Sequence, residues 1–237
     1  MKYTVKGRQV SYGEPIGIML IENYAPYVPG DVANATSYDF PVRFARLPGA
    51  TPTRLFAHDE KLMEAVFEAA RELAGEGVRA ITGDCGFLAT YQDRVVDELG
   101  IPVFLSSLLQ LDFVDRLIGR HGKTGIITAN SKALDRSLLD RVTSVPSERL
   151  VISGLEETTE FVSAVFDEKG SLDTELVQEE VLEQARRVVS DASVRALLLE
   201  CSLLPPYAAA VQAETGLPVF DYNTMINYVY SAVVRRP

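Results

Sequence analysis

The chain has no tryptophan, and only two histidines and two cysteines among its 237 residues. Two cysteines are too few for a Cys-rich zinc site, and His58 and His121 stand in unrelated contexts. No resident metal is therefore expected. Basic residues are also scarce: 23 Lys and Arg face 33 Asp and Glu, for a formal net charge of −10. No basic stripe is present to neutralise phosphates, which argues against nucleic acid and against an anionic membrane surface as partners. A small anionic substrate is still allowed, because a few local amides or hydroxyls outweigh a distant field. No apolar run approaches the ~20 residues needed to span a bilayer. The first residues, Met1 to Arg8, do not lead into an apolar signal core. The expectation is a cytoplasmic protein whose thiols stay reduced.

What the chain does have is a regular alternation of short apolar runs and helical periods. Strands are expected at 15–21, 41–47, 78–83, 101–105, 123–129, 149–154, 195–200 and 217–221. Helices are expected at 59–74, after Cys85 to Leu99, from Ser106 or Ser107 to about Arg120, and from Asn130 or Ser131 to about Arg141. Further helices are expected at 157–168, 173–191, from Pro205 or Pro206 to Gly216, and from Thr224 to about Val234. Such alternation defines an α/β protein with parallel sheets. The stretch 25–39, with Pro26, Pro29, Gly30, Asp31 and Asn34, is too long for a simple connection and reads as a functional or surface loop.

The pattern repeats. Glu98-Leu99-Gly100-Ile101-Pro102-Val103-Phe104 closes the unit after Cys85, and Glu214-Thr215-Gly216-Leu217-Pro218-Val219-Phe220 closes the unit after Cys201. Both cysteines stand 19 positions before the closing phenylalanine (104 − 85 and 220 − 201). The reading is an internal duplication into two pseudo-symmetric Rossmann-like lobes with a cleft between them. One lobe is expected from 1–107 plus 216–237, the other from 108–215.

Each cysteine then lies at the carboxyl end of a parallel strand, just before a helix start, where ligands of open α/β sheets bind. Helix N-terminal amides there favour thiolate over thiol and offer donors to a carboxylate or enolate. Two thiols facing each other suit a two-base proton transfer, in which one removes a proton and the other returns one to the opposite face. Cys85 and Cys201 are the candidate catalytic residues. Asn23, just past the first strand, and Thr128, at the end of the fifth, are candidate substrate contacts. So are the residues following each thiol, Gly86 and Phe87, Ser202 and Leu203. Asp84 and Glu200 precede the thiols and stand to modulate them. Asn130, Tyr207, Arg43 and the loop residues Asp31, Asn34 and Thr36 have weaker claims.

This arrangement resembles the aspartate/glutamate/hydantoin racemase superfamily over nearly the whole chain. The resemblance implies cofactor-independent enzymes that use two cysteines for 1,1-proton transfer on small carboxylate-bearing compounds, and it implies a homodimer. On it, the chain is expected to be a racemase or epimerase of an amino acid or hydantoin-like substrate. Glutamate racemases carry Asp-Ser-Gly, Cys-Asn-Thr and Gly-Cys-Thr where this chain has Ile21-Glu22-Asn23, Cys85-Gly86-Phe87 and Glu200-Cys201-Ser202. Glutamate itself is thereby disfavoured. The alternatives on the same fold are a maleate-isomerase-like or arylmalonate-decarboxylase-like enzyme. A non-catalytic small-molecule binding protein is the alternative from another class.

Overall fold

A computed structural model describes residues 4, 5, 7 and 9–235. Among the described residues, eight strands form two separate parallel sheets of four. The first sheet has the order β2-β1-β3-β4, built from β1 (Ile16–Leu20), β2 (Val42–Arg46), β3 (Ala80–Gly83) and β4 (Val103–Phe104). The second has the order β6-β5-β7-β8, built from β5 (Lys123–Thr128), β6 (Leu150–Gly154), β7 (Val194–Leu199) and β8 (Val219–Phe220). The helices between them are α1 (Pro52–Phe56), α2 (Met63–Gly75), α3 (Gln92–Glu98), α4 (Leu111–Ile118), α5 (Arg136–Leu139), α6 (Thr174–Val189), α7 (Ala208–Thr215) and α8 (Tyr222–Val233).

The duplication extends to hydrogen-bond register. Phe104 of β4 pairs with Thr82 of β3, and Phe220 of β8 pairs with Leu198 of β7, each partner three residues before its cysteine. The central strands β3 and β7 are fully buried at their carboxyl ends, which is why they read as continuous apolar runs rather than alternating ones.

The lobes interlock by exchanging a helix. Helix α4 follows β4 of the first sheet but packs on β5 and β7 of the second. Helix α8 follows β8 of the second sheet but packs on β3 of the first, burying Tyr222, Met225 and Ile226 against Ile16, Ile18, Ala80 and Phe104. This corrects the expected boundary at 215/216. Residues 219–220 belong to the second sheet, where β8 pairs in parallel with β7 (Leu197 with Val219, Leu198 with Phe220). Only the helix beyond β8 crosses back.

Other departures are local. The helix expected from Asn130 reduces to α5, because Asn130 spends its side-chain oxygen on the amides of Lys132 and Ala133 and Asp135 is the residue that caps. The segment expected as an α-helix at 157–168 contains a π-helical turn, Val162–Phe166. Helix α1, for which no helix was expected, begins at Pro52, with proline in its first turn where the lost N–H costs nothing.

The loop 25–39 is docked rather than free. Asp31 and Val32 are buried, and the Val32 amide donates to the Ser202 carbonyl at 3.3 Å. The Asn223 side chain donates to the Gly30 carbonyl at 2.7 Å. Gly30 has φ +106, and a β-carbon there would press on Pro206 at 3.1 Å, so this contact between loop and second lobe requires glycine.

Candidate active site

Both strand-end turns are built alike. The amide of Asp84 donates to Met19 O at 3.0 Å, and that of Glu200 to Ile127 O at 2.8 Å, so each residue before a thiol is held by the neighbouring strand of its own sheet. The carbonyl of Cys85 accepts from Leu88 N, and that of Cys201 from Leu204 N. A 3-10 turn follows in both halves, Gly86–Tyr91 and Pro205–Tyr207. The two turns are tied across the interface: the Ser202 hydroxyl donates to the carbonyl of Asp84. Ser107 donates to the carbonyls of Leu199 and Glu200 at 3.2 and 3.1 Å, a second tie from the first lobe to the second.

One cleft of about 30 Å³ receives both cysteines. Its wall also carries Asn23, Gly86, Phe87, Ser202 and Leu203. Of the residues singled out from sequence as substrate contacts, Thr128 alone is not on that wall. It is fully buried behind it, and its hydroxyl donates to Glu200 Oε2 at 2.6 Å. Thr128 thus reaches the site through Glu200, because the last residue of β5 points into the sheet interface rather than out of the strand end. Asn23 is on the wall but much of its side chain is committed: its amide donates to Val165 O at 2.7 Å, and its oxygen accepts from Ala25 N and Tyr27 Oη.

Sequence reasoning missed the aromatic part of the cleft. Tyr27, Phe56 and Phe166 come from the docked loop, from α1 and from the π-helical turn, and they join Phe87. Phe56 packs edge-on to both Phe87 and Phe166, with centroids 4.8 and 5.6 Å apart. No periodicity marks these residues: Tyr27 lies in a loop, Phe56 in the five-residue helix α1 and Phe166 in a π-helical turn. No Lys, Arg or His is on the wall among the described residues. Arg43, the one basic candidate, pairs instead with Glu14 and Glu76.

The electrostatics reverse one expectation. Both thiols are raised well above their ordinary value, primarily by burial and then by the charge of Glu200. The amides of Phe87 and Leu203 favour the respective thiolates but are outweighed. The amide contribution is smaller than the burial penalty and the repulsion from two buried carboxyls, Glu200 and Asp84. Burial holds both of those carboxyls up at about 7, against the pull of Ile21 N–H on Asp84 and of Thr128 on Glu200. Asp31, with one oxygen buried and unpartnered, is pushed by burial to about 8.

The arrangement supplies thiols, carboxyls of near-neutral pKa and turn amides around one small space. That set can move a proton at a carbon next to a carboxylate.

Comparisons with known proteins agree with this architecture. Allantoin racemase from Pseudomonas fluorescens superposes with a TM-score of 0.62 at 14% identity, covering 93% of this chain and 91% of that one. Arylmalonate decarboxylase superposes with a TM-score of 0.58 at 18% identity, covering 92% of each chain. Aspartate and glutamate racemases share the same fold. The protein therefore has the fold of the Asp/Glu racemase superfamily. No protein-family model matches the chain. In sequence, dimethylsulfoniopropionate lyase 7 of Emiliania huxleyi (strain CCMP1516) is 30% identical over 233 residues, which cover 94% of this chain and 68% of that relative. A dimethylsulfoniopropionate lyase of Durusdinium sp. clade D is 29% identical over 232 residues, 94% of this chain and 76% of that relative. The chain belongs to the family of these dimethylsulfoniopropionate lyases.

Proposed function

We propose that the chain is a lyase acting on a β-sulfonio carboxylate of the dimethylsulfoniopropionate type. One of the two thiols, as thiolate, removes the proton α to the carboxylate. The bond from the β-carbon to sulfur breaks as the double bond forms, and acrylate and dimethyl sulfide leave. The turn amides after Cys85 and Cys201 receive the carboxylate and the charge that develops next to it.

The observation that carries this reading is the composition of the cleft wall: two thiols beside four aromatic side chains and two carboxyls, with no basic side chain among the described residues. A sulfonium cation is stabilised by aromatic faces and by nearby negative charge, as quaternary ammonium ligands are. The names of the sequence relatives support the same chemistry.

Racemisation or epimerisation of a small carboxylate is the second reading, and the paired placement of Cys85 and Cys201 on one cleft favours it. Both readings begin with the same α-proton abstraction and differ in what happens to the carbanion. The test is to supply dimethylsulfoniopropionate and measure dimethyl sulfide by gas chromatography and acrylate by liquid chromatography. Stoichiometric release of the two is the expected result. In parallel, enantiomers of aspartate, glutamate and hydantoins are incubated in deuterated water. Exchange and inversion there, with no sulfide released, overturns the lyase in favour of a racemase. Ligand binding with neither reaction overturns both in favour of a binding protein.

A further inference from the structure

Asn23 follows a strand of the first sheet and Val165 lies in the second lobe, yet one buried hydrogen bond joins them. Asn23 Nδ2 donates to the Val165 carbonyl at 2.7 Å, and Asn23 is only 7% exposed. Both residues stand on the wall of the thiol cleft, and Phe166, one of its aromatic rings, is the next residue along. Glu168 completes the joint. Its Oε1 accepts from Tyr24 N at 3.2 Å and from Asn23 Nδ2 at 3.4 Å. Glu168 also has φ +51, a left-handed conformation uncommon outside glycine, which aims its side chain at the other lobe. The segment between these contacts is held at one end and free to swing at the other. Before it, the amides of Thr159, Glu160 and Phe161 donate to the Glu180 carboxylate at 2.8, 2.6 and 2.8 Å. After it, Gly170 has φ +83 and open space around its α-carbon. The segment itself is the π-helical turn Val162–Phe166, a rare geometry that recurs at functional sites. The cleft beneath it, about 30 Å³, has room for about one water, so part of its wall must withdraw to admit an organic molecule.

We infer that Asn23 and Glu168 are positioning residues that latch the Phe166 end of this turn over the two thiols, and that the cleft admits substrate when the latch opens. Asn23 serves the site through Val165 rather than by touching substrate. Its side-chain oxygen is engaged as well, by Ala25 N and Tyr27 Oη at 3.3 Å, so one side chain sets both the turn and the docked loop that carries Tyr27. Opening exchanges hydrogen bonds only: the Val165 carbonyl, Asn23 Nδ2 and the Glu168 carboxylate give up one another for water. That water is at hand, because the outer pocket of about 460 Å³ is lined by Tyr24, Phe56, Phe166 and Glu168 themselves. An exposed Glu168 makes the outer half of the latch quick to break, while the buried Asn23–Val165 bond restores the closed form. The latch operates whichever reaction the thiols perform.

The test reads access to the thiols and local opening together. Wild type, Asn23→Ala, Glu168→Ala and Glu168→Gln are treated with N-ethylmaleimide, and modification of Cys85 and Cys201 is followed by mass spectrometry. Backbone amide exchange is measured in the same proteins for residues 162–169 and for strands β3 and β7. Each alanine variant is expected to speed thiol modification at least threefold and exchange in 162–169 at least threefold, while β3 and β7 keep wild-type rates. Glu168→Gln retains an acceptor oxygen and is expected to stay within twofold of wild type. A residue of merely structural importance loosens β3 and β7 along with the turn, and that outcome overturns the inference. Wild-type rates in either folded alanine variant overturn it too, as does a Glu168→Gln protein modified as fast as Glu168→Ala. If Asn23→Ala does not fold, the two variants at the exposed Glu168 decide by the same readouts. No arm uses substrate, so absence of sulfide release by the wild type overturns the lyase reading alone and leaves the latch to be judged by thiol access and exchange.

Discussion

The hydroxyl of Ser202, one residue past the second thiol, donates to the carbonyl of Asp84, one residue before the first. The second half of the duplicated chain thereby completes the backbone of the first half's active turn, and Ser107 returns the tie by donating to the carbonyl of Glu200 at 3.1 Å. Ser202→Ala leaves a buried carbonyl without its partner, which costs about 1–3 kcal/mol. Urea denaturation is expected to show that loss as a lower midpoint with an unchanged slope. Activity is expected to fall as well, since the two thiols lose their mutual registration.

Cys85→Ser and Cys201→Ser test the pair directly. A positioned base contributes roughly 10²–10⁴ in rate. Loss of sulfide release in that range is expected for the cysteine that removes the α-proton. A racemase loses inversion in both variants, whereas a lyase with one base loses much more in one than in the other. Steady-state kinetics of the two variants side by side make that distinction, with thermal melting to show that each remains folded.

Gly86→Ala places a methyl where Glu200 Oε1 now sits. The variant is expected to be destabilised and nearly inactive. Gly86→Ala combined with Glu200→Ala is expected to regain stability relative to Gly86→Ala alone, because the clash disappears. A coupling energy in the 0.5–3 kcal/mol range typical of contacting residues, measured by a double-mutant cycle, is the outcome that verifies the contact. Additive effects contradict it.

Stability should decline as pH rises through neutrality. Asp84 and Glu200 hold folded-state values of about 7 and Asp31 about 8, against ordinary values of 3.8 for Asp and 4.5 for Glu. Between the unfolded and folded values the native state binds more protons than the unfolded state, so stability falls with increasing pH over that window. The melting temperature is expected to be higher at pH 5.5 than at pH 8.5. Asp84→Asn and Glu200→Gln are each expected to flatten the decline. On the acid side, Glu14, Asp59 and Glu160 are held below their ordinary values by hydrogen bonds, among them those from Arg43, Lys61 and Lys169, and their stabilisation is lost as pH falls through those lowered values.

Access is expected to pass between Phe56 and Phe166. These two rings and Pro52 separate the cleft of about 30 Å³ from an outer pocket of about 460 Å³ lined by Glu22, Glu156 and Glu168. The inner space as it stands holds about one water, so substrate enters only when the Phe56 and Phe166 rings part. Phe166→Ala is expected to speed alkylation of Cys85 by N-ethylmaleimide more than by the smaller iodoacetamide. Equal acceleration of the two reagents rules this route out.

The sequence by itself determined the α/β class, the duplication and the standing of Cys85 and Cys201 at strand ends. Those features are written in local patterns: apolar runs of strand length, breakers between them, and a 19-residue spacing that reappears as identical register in β4 and β8. Only the tertiary structure decided what surrounds the thiols. Tyr27, Phe56 and Phe166 lie far apart in sequence and in short elements, so no window of the chain shows them as neighbours. The helix exchange of α4 and α8 is equally invisible, since an amphipathic face does not say which sheet it will cover. The role of Gly86 depends on a side chain 114 positions away (200 − 86), and its meaning appears only when Glu200 fills the space it leaves. The thiol pKa followed the same rule: local sequence placed a helpful amide beside each cysteine, and burial against two carboxyls from opposite lobes overrode it.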